Sequence, residues 1–189
     1  MSPTQTSVHG SIFFLLKKYV ITHFSEEVWK QFLTQSGKDE NFEFVITDAY
    51  TLEEIDNIVE AASAHTGLSI HTLQERFGEW LVPDLFQFYS TYLNPEWKTW
   101  EVLIHTEKVM HGAVRRLNST ANPPVLHVSD VIGNKLIIDY HSKRKMGSLA
   151  VGIIKGIARY YNEHEVVTVT AMTPPDAERV QVKVTFLNR

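Results

Sequence analysis

Leu117-Asn118-Ser119-Thr120-Ala121-Asn122-Pro123-Pro124-Val125-Leu126-His127-Val128 is where this chain changes period. Upstream of it apolar residues recur every three or four positions, the spacing of one helix face. Downstream they alternate, as the two faces of a strand require. The proline pair stops one regime and the valines open the other.

Working back toward the N-terminus, Ile12, Leu15, Leu16 and Tyr19 predict a helix over 11–22. Ser25 before Glu26-Glu27-Val28 is an N-cap pattern for a second helix carrying Trp29, Phe32 and Leu33. Thr51-Leu52-Glu53-Glu54 is a capping box, with Ile55, Ile58, Val59 and Ala62 on one face behind it and Gly67 as the stop. Ser69 starts a further helix through Leu73 and Phe77, ended by Gly78, and 80–93 reads as an aromatic-rich helical stretch. Pro95 suits the first turn of a long helix over 96–117.

Working forward, 125–131 and 135–142 read as strands joined by Gly133-Asn134. Residues 147–162 predict a helix with Leu149, Val151, Ile153, Ile154 and Ile157 as candidate buried positions. Val167, Val169 and Ala171, then Val180, Val182, Val184 and Phe186 beyond Pro174-Pro175-Asp176, make a closing hairpin. The fold class is therefore α+β: a helical part over about 9–120 and a sheet-containing part over about 121–189, together one domain. Residues 1–8 are polar and read as a flexible N-terminal extension.

Composition narrows the chemistry. The chain has 189 residues, 43% hydrophobic and 21% charged, and a net charge of -4, which offers no basic field to nucleic acid. Lys143-Arg144-Lys145 is too short to bind an anionic membrane, and the apolar run Ile12-Phe13-Phe14-Leu15-Leu16 is far below the ~20 residues that span a bilayer. With no signal peptide legible, a cytoplasmic protein is expected. There is no cysteine, so disulfides, thiolate catalysis, iron–sulfur clusters and cysteine zinc sites are all excluded. No H-E-x-x-H, G-x-S-x-G or G-x-G-x-x-G occurs either, which leaves zinc-protease, nucleophile-elbow and dinucleotide chemistry without parts. No catalytic role is expected.

Nine histidines remain to be explained. At 100° per residue, Trp97, Trp100, Leu103, Ile104, Met110, Val114 and Leu117 form one stripe of the long helix, with His111 inside it and His105 well away. An imidazole in such company stays neutral or finds a partner, so His111 is either a satisfied core histidine or a metal ligand. Glu107 falls on the same stripe, which is therefore not purely core. A second group is Tyr140-His141-Ser142-Lys143-Arg144. At strand spacing Tyr140, Ser142 and Arg144 project to one side, and two hydroxyls with a guanidinium suit a carboxylate or phosphate. The plainer alternative is the polar outer face of a sheet.

Together these stretches resemble the heme-nitric oxide/oxygen binding (H-NOX, HNOB) domain family, found in soluble guanylate cyclase and bacterial sensors. The resemblance covers about 8–186. It rests on the opening His9-Gly10-Ser11-Ile12, on Leu103-Ile104-His105-Thr106-Glu107-Lys108-Val109-Met110-His111, on the proline-containing segment after it, and on Tyr140-x-Ser142-x-Arg144. It implies an H-NOX fold holding heme b (iron protoporphyrin IX) between its helical and sheet parts, with His111 on the iron and Tyr140, Ser142 and Arg144 on the propionates. Pro124 takes the place of a proline that presses on the heme edge.

The same resemblance assigns Ile12, Leu16, Leu81 and Leu149 to the distal pocket. All four are aliphatic, and Leu149 stands where oxygen-binding members carry a tyrosine. This implies a nitric oxide sensor that also takes carbon monoxide and excludes oxygen. Its signal would pass to an effector protein such as a histidine kinase, a diguanylate cyclase or phosphodiesterase, or a guanylate cyclase. The alternative is a heme-free dimerisation or partner-docking module of the same fold. The chain departs from the pattern at Thr106-Glu107-Lys108, where many relatives have Asn-Leu-Asp, and at Ser119, where proline is frequent.

Overall fold

Residues 7–117, 123–131 and 133–187 are described by a computed structural model. The extension up to residue 6, residues 118–122 of the period-changing segment (Ser119 among them) and the side chain of Leu117 lie outside what is described. The described residues form two compact units, one up to Leu73 and one from Gln74 onward.

The first unit contains β1 (Ser7–His9), α1 (Gly10–His23), α2 (Glu26–Gln35), β2 (Ala49–Thr51) and α3 (Leu52–Thr66). Ser7 and Val8, assigned from their polar surroundings to the flexible extension, instead join His9 in a strand. That strand pairs antiparallel with β2, Val8 opposite Tyr50, and Val8 is buried. The three helix starts are chemically explicit. His9 Nδ1 accepts the Ser11 N–H at 3.3 Å, Ser25 Oγ accepts that of Val28 at 3.3 Å, and Thr51 Oγ1 accepts that of Glu54 at 3.3 Å. Glu54 completes the capping box by accepting the Thr51 N–H at 2.7 Å. Gly67 ends α3 in the left-handed conformation, φ 70°. Phe13, Leu15, Trp29, Phe32, Leu33, Ile55 and Ile58 form the buried interior of this unit. Thr51→Ala, which removes one half of the box, is expected to lower stability by about 1 kcal/mol in urea denaturation.

The unit boundary falls inside α4 (Ile70–Trp80). The second unit continues with α5 (Val82–Phe88), α6 (Thr99–His105), a π-helical turn (Thr106–His111), α7 (Gly112–Leu117), β3 (Val125–Val131), β4 (Lys135–His141), α8 (Gly147–Tyr160), β5 (Val167–Ala171) and β6 (Arg179–Phe186). The four strands make an antiparallel sheet in the order β3-β4-β6-β5. Leu136, Ile138 and Tyr140 of β4 and Val180, Val182, Val184 and Phe186 of β6 are buried with Val151, Ile154 and Ile157 of α8 and with Trp100 and Leu103 of α6. The α+β organisation is thus as the periodicities predict. The change of period at Pro123-Pro124 lies inside the second unit.

Three local expectations are corrected. Gly78 does not stop α4, which runs on to Trp80. A Cβ on Gly78 would lie 2.4 Å from the Leu149 carbonyl oxygen, and Cβ atoms on Gly152 and Gly156 would lie 2.1 Å and 2.5 Å from the carbonyls of Glu75 and Glu79. These glycines are the surface on which α4 and α8 touch backbone to backbone, and Lys155–Glu75 and Arg159–Glu79 ion pairs flank them at 2.6 Å. Pro95 lies in a turn ahead of α6 rather than in its first turn, and the long helix starts at Thr99. Nor is that helix uniform. A π-helical turn interrupts it after His105, and Ile104 is exposed while Val102 and Ala113 are buried. Trp97, counted on the stripe that His105 was to point away from, lies ahead of α6 and stacks on the His105 ring at 4.7 Å.

Candidate heme site

His111 is the last residue of the π-helical turn, with buried Met110 before it and Ala113, fully buried, two residues on. Its side chain is 18% exposed. Burial lowers the pKa of the imidazole, against the opposing pull of Glu107. A neutral ring facing a carboxylate donates, and its Nδ1 lies 3.0 Å from Glu107 Oε2. The same Glu107 oxygen accepts the Leu126 N–H at 3.0 Å, and Oε1 pairs with Arg115 Nη1 at 2.9 Å. Burial raises the Glu107 pKa, but the Leu126, Arg115 and His111 donors outweigh it and the carboxyl is held below its usual value. Arg115 also donates through Nη2 to the Pro124 carbonyl at 3.4 Å. Pro124 is half-buried, and its carbonyl lies close enough to draw on the His111 ring as well.

The second group lies one rung away. Leu126, held by Glu107, is the direct cross-strand partner of Tyr140 on β4. Tyr140 points into the core, 5% exposed, which rules out the polar outer face as its setting. Burial raises the pKa of its phenol, against hydrogen bonds from the Ser142 side chain and the Met146 N–H and the charge of Arg144. Strand spacing is not what gathers these residues. β4 ends at His141, and Ser142 opens a tight turn in which its carbonyl accepts the Lys145 N–H at 3.3 Å and its Oγ accepts the Arg144 N–H at 3.2 Å. Lys145 takes φ 54° to complete the turn. Arg144 is thus brought to Tyr140 by a turn rather than by the pleat. Its guanidinium is half-buried, and desolvation lowers its pKa, opposed by Tyr140.

Leu81, the residue after α4, is fully buried, and Leu149 is half-buried in the first turn of α8. Ile12 (half-buried) and Leu16 (buried) lie on α1 in the first unit. Glu107 is the residue that sequence reasoning left without a role. Its i, i+4 spacing from His111 is the signal that could have paired the two.

The donor set suits an iron porphyrin. Among the described residues no three His, Asp or Glu cluster to chelate a bare ion. A single imidazole holds a transition metal when a macrocycle supplies the equatorial ligands, as heme does. Half-buried Arg144, with the Tyr140 and Ser142 hydroxyls beside it, offers the charge and donors that heme carboxylates need.

Known proteins share this fold. The chain is similar over 96% of its length to an H-NOX protein from S. oneidensis solved in the Fe(II)NO ligation state, with 18% identity, a TM-score of 0.88 and all of that chain covered. It is similar to the unliganded Fe(II) H-NOX protein from K. algicida over 96% of this chain and 98% of that one, at 21% identity and TM-score 0.83. A T. tengcongensis H-NOX variant matches over the same shares, at 18% identity and TM-score 0.83. The family model described as Haem-NO-binding matches residues 9–169, a span that takes in His111 and the whole Tyr140–Arg144 turn. With model and fold in agreement, the chain belongs to the H-NOX family of heme-based gas-sensor domains.

Proposed function

We propose that this domain senses nitric oxide, also takes carbon monoxide and leaves oxygen out, with His111 as the protein ligand of heme b. The observation that carries the reading is the His111 imidazole itself: mostly buried, its Nδ1 engaged by Glu107, whose carboxylate also holds Leu126, the cross-strand partner of Tyr140. Pairing at Nδ1 leaves Nε2 as the lone pair for a metal. A heme held here would supply a ferrous iron able to take a diatomic ligand.

Tyr140, Ser142 and Arg144 would hold the propionates with two hydroxyls and a guanidinium, and Pro124 would pack on the heme edge. The four positions given to the distal side, Ile12, Leu16, Leu81 and Leu149, carry no hydrogen-bond donor. Bound oxygen gathers negative charge that such a donor would stabilise, whereas nitric oxide needs none. Signalling follows from two separate anchors. A heme held here would be tied to the π-helical turn through His111 and to the turn after β4 through Tyr140, Ser142 and Arg144, so a change at the first tie would move the π-helical turn and α7 against the second. This is a two-state element biased by a ligand. The domain has a sensory rather than a catalytic role, and an effector such as a histidine kinase or a nucleotide or cyclic-dinucleotide enzyme reads the change.

An absorption spectrum of the ferrous protein tests this reading. Nitric oxide and carbon monoxide are expected to shift the Soret band, air is expected to give no stable oxygen complex, and Leu149→Tyr should begin to permit one. A stable oxygen complex in the native protein rejects the distal assignment. Failure to take up hemin rejects the whole proposal in favour of a docking module.

A further inference from the structure

We infer that Glu107 is a positioning residue that sets the strength of the bond between His111 and the heme iron, making the imidazole a stronger donor than a neutral hydrogen-bond partner would. The inference rests on His111 being the iron ligand. It goes beyond that reading because it assigns the chemistry of the bond to a different side chain.

The geometry is over-determined. Glu107 Oε2 receives two donors at 3.0 Å, the His111 Nδ1–H and the Leu126 N–H, and Oε1 receives Arg115 Nη1 at 2.9 Å. Those donors come from the π-helical turn, from β3 and from α7, so three elements fix one carboxylate. β3 is an edge strand of its sheet, and the carboxylate covers the outward Leu126 N–H. A glutamate that only capped this edge would have no need to face the imidazole four residues on.

A carboxylate drawing on Nδ1–H leaves more electron density on Nε2, as outer partners of metal-bound histidines generally do. A ring polarised in this way favours ferric over ferrous iron and holds its bond more firmly when a ligand binds on the opposite side. Arg115 moderates the effect, since its charge is shared with the carboxylate at 2.9 Å. The departure from Asn-Leu-Asp at 106–108 thereby gains a physical meaning.

Resonance Raman and redox titration of the heme-loaded protein test the inference with Glu107→Gln, which keeps an acceptor and removes the charge, and Glu107→Leu, which removes both. The expected result is a lower iron–histidine stretching frequency in Gln and a lower one still in Leu. The midpoint potential should rise in the same order, and the nitrosyl form should move toward five-coordination. Should the Gln variant fail to hold heme, Arg115→Gln carries the test, because removing that cation must raise the frequency. Unchanged frequency and potential in Glu107→Gln, or an unchanged or lowered frequency in Arg115→Gln, overturns the role given to Glu107. A wild-type iron–ligand band that survives in His111→Gly overturns the ligand assignment instead, so the two failures are told apart.

Discussion

His111→Gly is expected to strip the domain of heme, and millimolar imidazole is expected to restore it. Removing an outer partner of a metal-bound histidine already costs roughly 10–100-fold in affinity, and losing the ligand itself should cost more. The small residue leaves the space of the ring, which free imidazole can refill. Hemin titration followed at the Soret band reads both effects. The substitution also costs the helix something, up to about 1 kcal/mol for a glycine in place of a better helix former. The thermal melt of the heme-free variant should therefore stay close to that of the heme-free parent. Normal heme retention without imidazole would show that another residue holds the iron.

The second large effect concerns the scaffold. Gly152→Val should destabilise the second unit by about 3 kcal/mol or more, the upper range for overpacking. Its Cβ would lie 2.1 Å from the Glu75 carbonyl oxygen, and a backbone atom cannot turn aside as a side-chain end can. Across a chain of this length such a loss lowers the melting temperature by roughly 6–12 °C. Lys155→Ala, which removes the neighbouring ion pair with Glu75, is the contrast. That pair is more than a third exposed on both sides and should cost at most about 1 kcal/mol. Equal losses in the two variants would mean that charge, not close approach, holds α8 to α4.

These two predictions differ in how much of their basis could be read from the sequence. The capping residues Ser25 and Thr51, the stop at Gly67 and the alternation of β4 and β6 are local signals, and each marks the element it announces. His111 is separable from His105 by phase, but that phase extends the helix back over Trp97, which lies ahead of α6, and it puts the exposed Ile104 on the core stripe. A π-helical turn has no simple residue signature, because it is stabilised by what packs and bonds around it.

Gly78 reads as a helix stop from local propensity alone. Its actual partner, the Leu149 carbonyl, lies 71 positions downstream and is invisible to a local window. The spacing Gly152-x-x-x-Gly156 on one helix face was the available hint of close packing. Arg144 reaches Tyr140 by another geometry than the spacing predicts. Strand alternation and a tight turn both bring residue 144 back toward residue 140, and only the hydrogen bonds of Ser142 distinguish them. Glu107 was visible as an acid on an apolar stripe, but its meaning depends on Leu126 and Arg115, which arrive from other elements.

The π-helical turn has a further consequence. Such a turn amounts to an α-helical turn with one residue added, and one residue rotates whatever follows by about 100°. The direction in which His111 points is therefore decided by winding rather than by composition: the wide turn absorbs one residue, and the same stretch wound as plain α-helix would swing the imidazole toward another side of the helix.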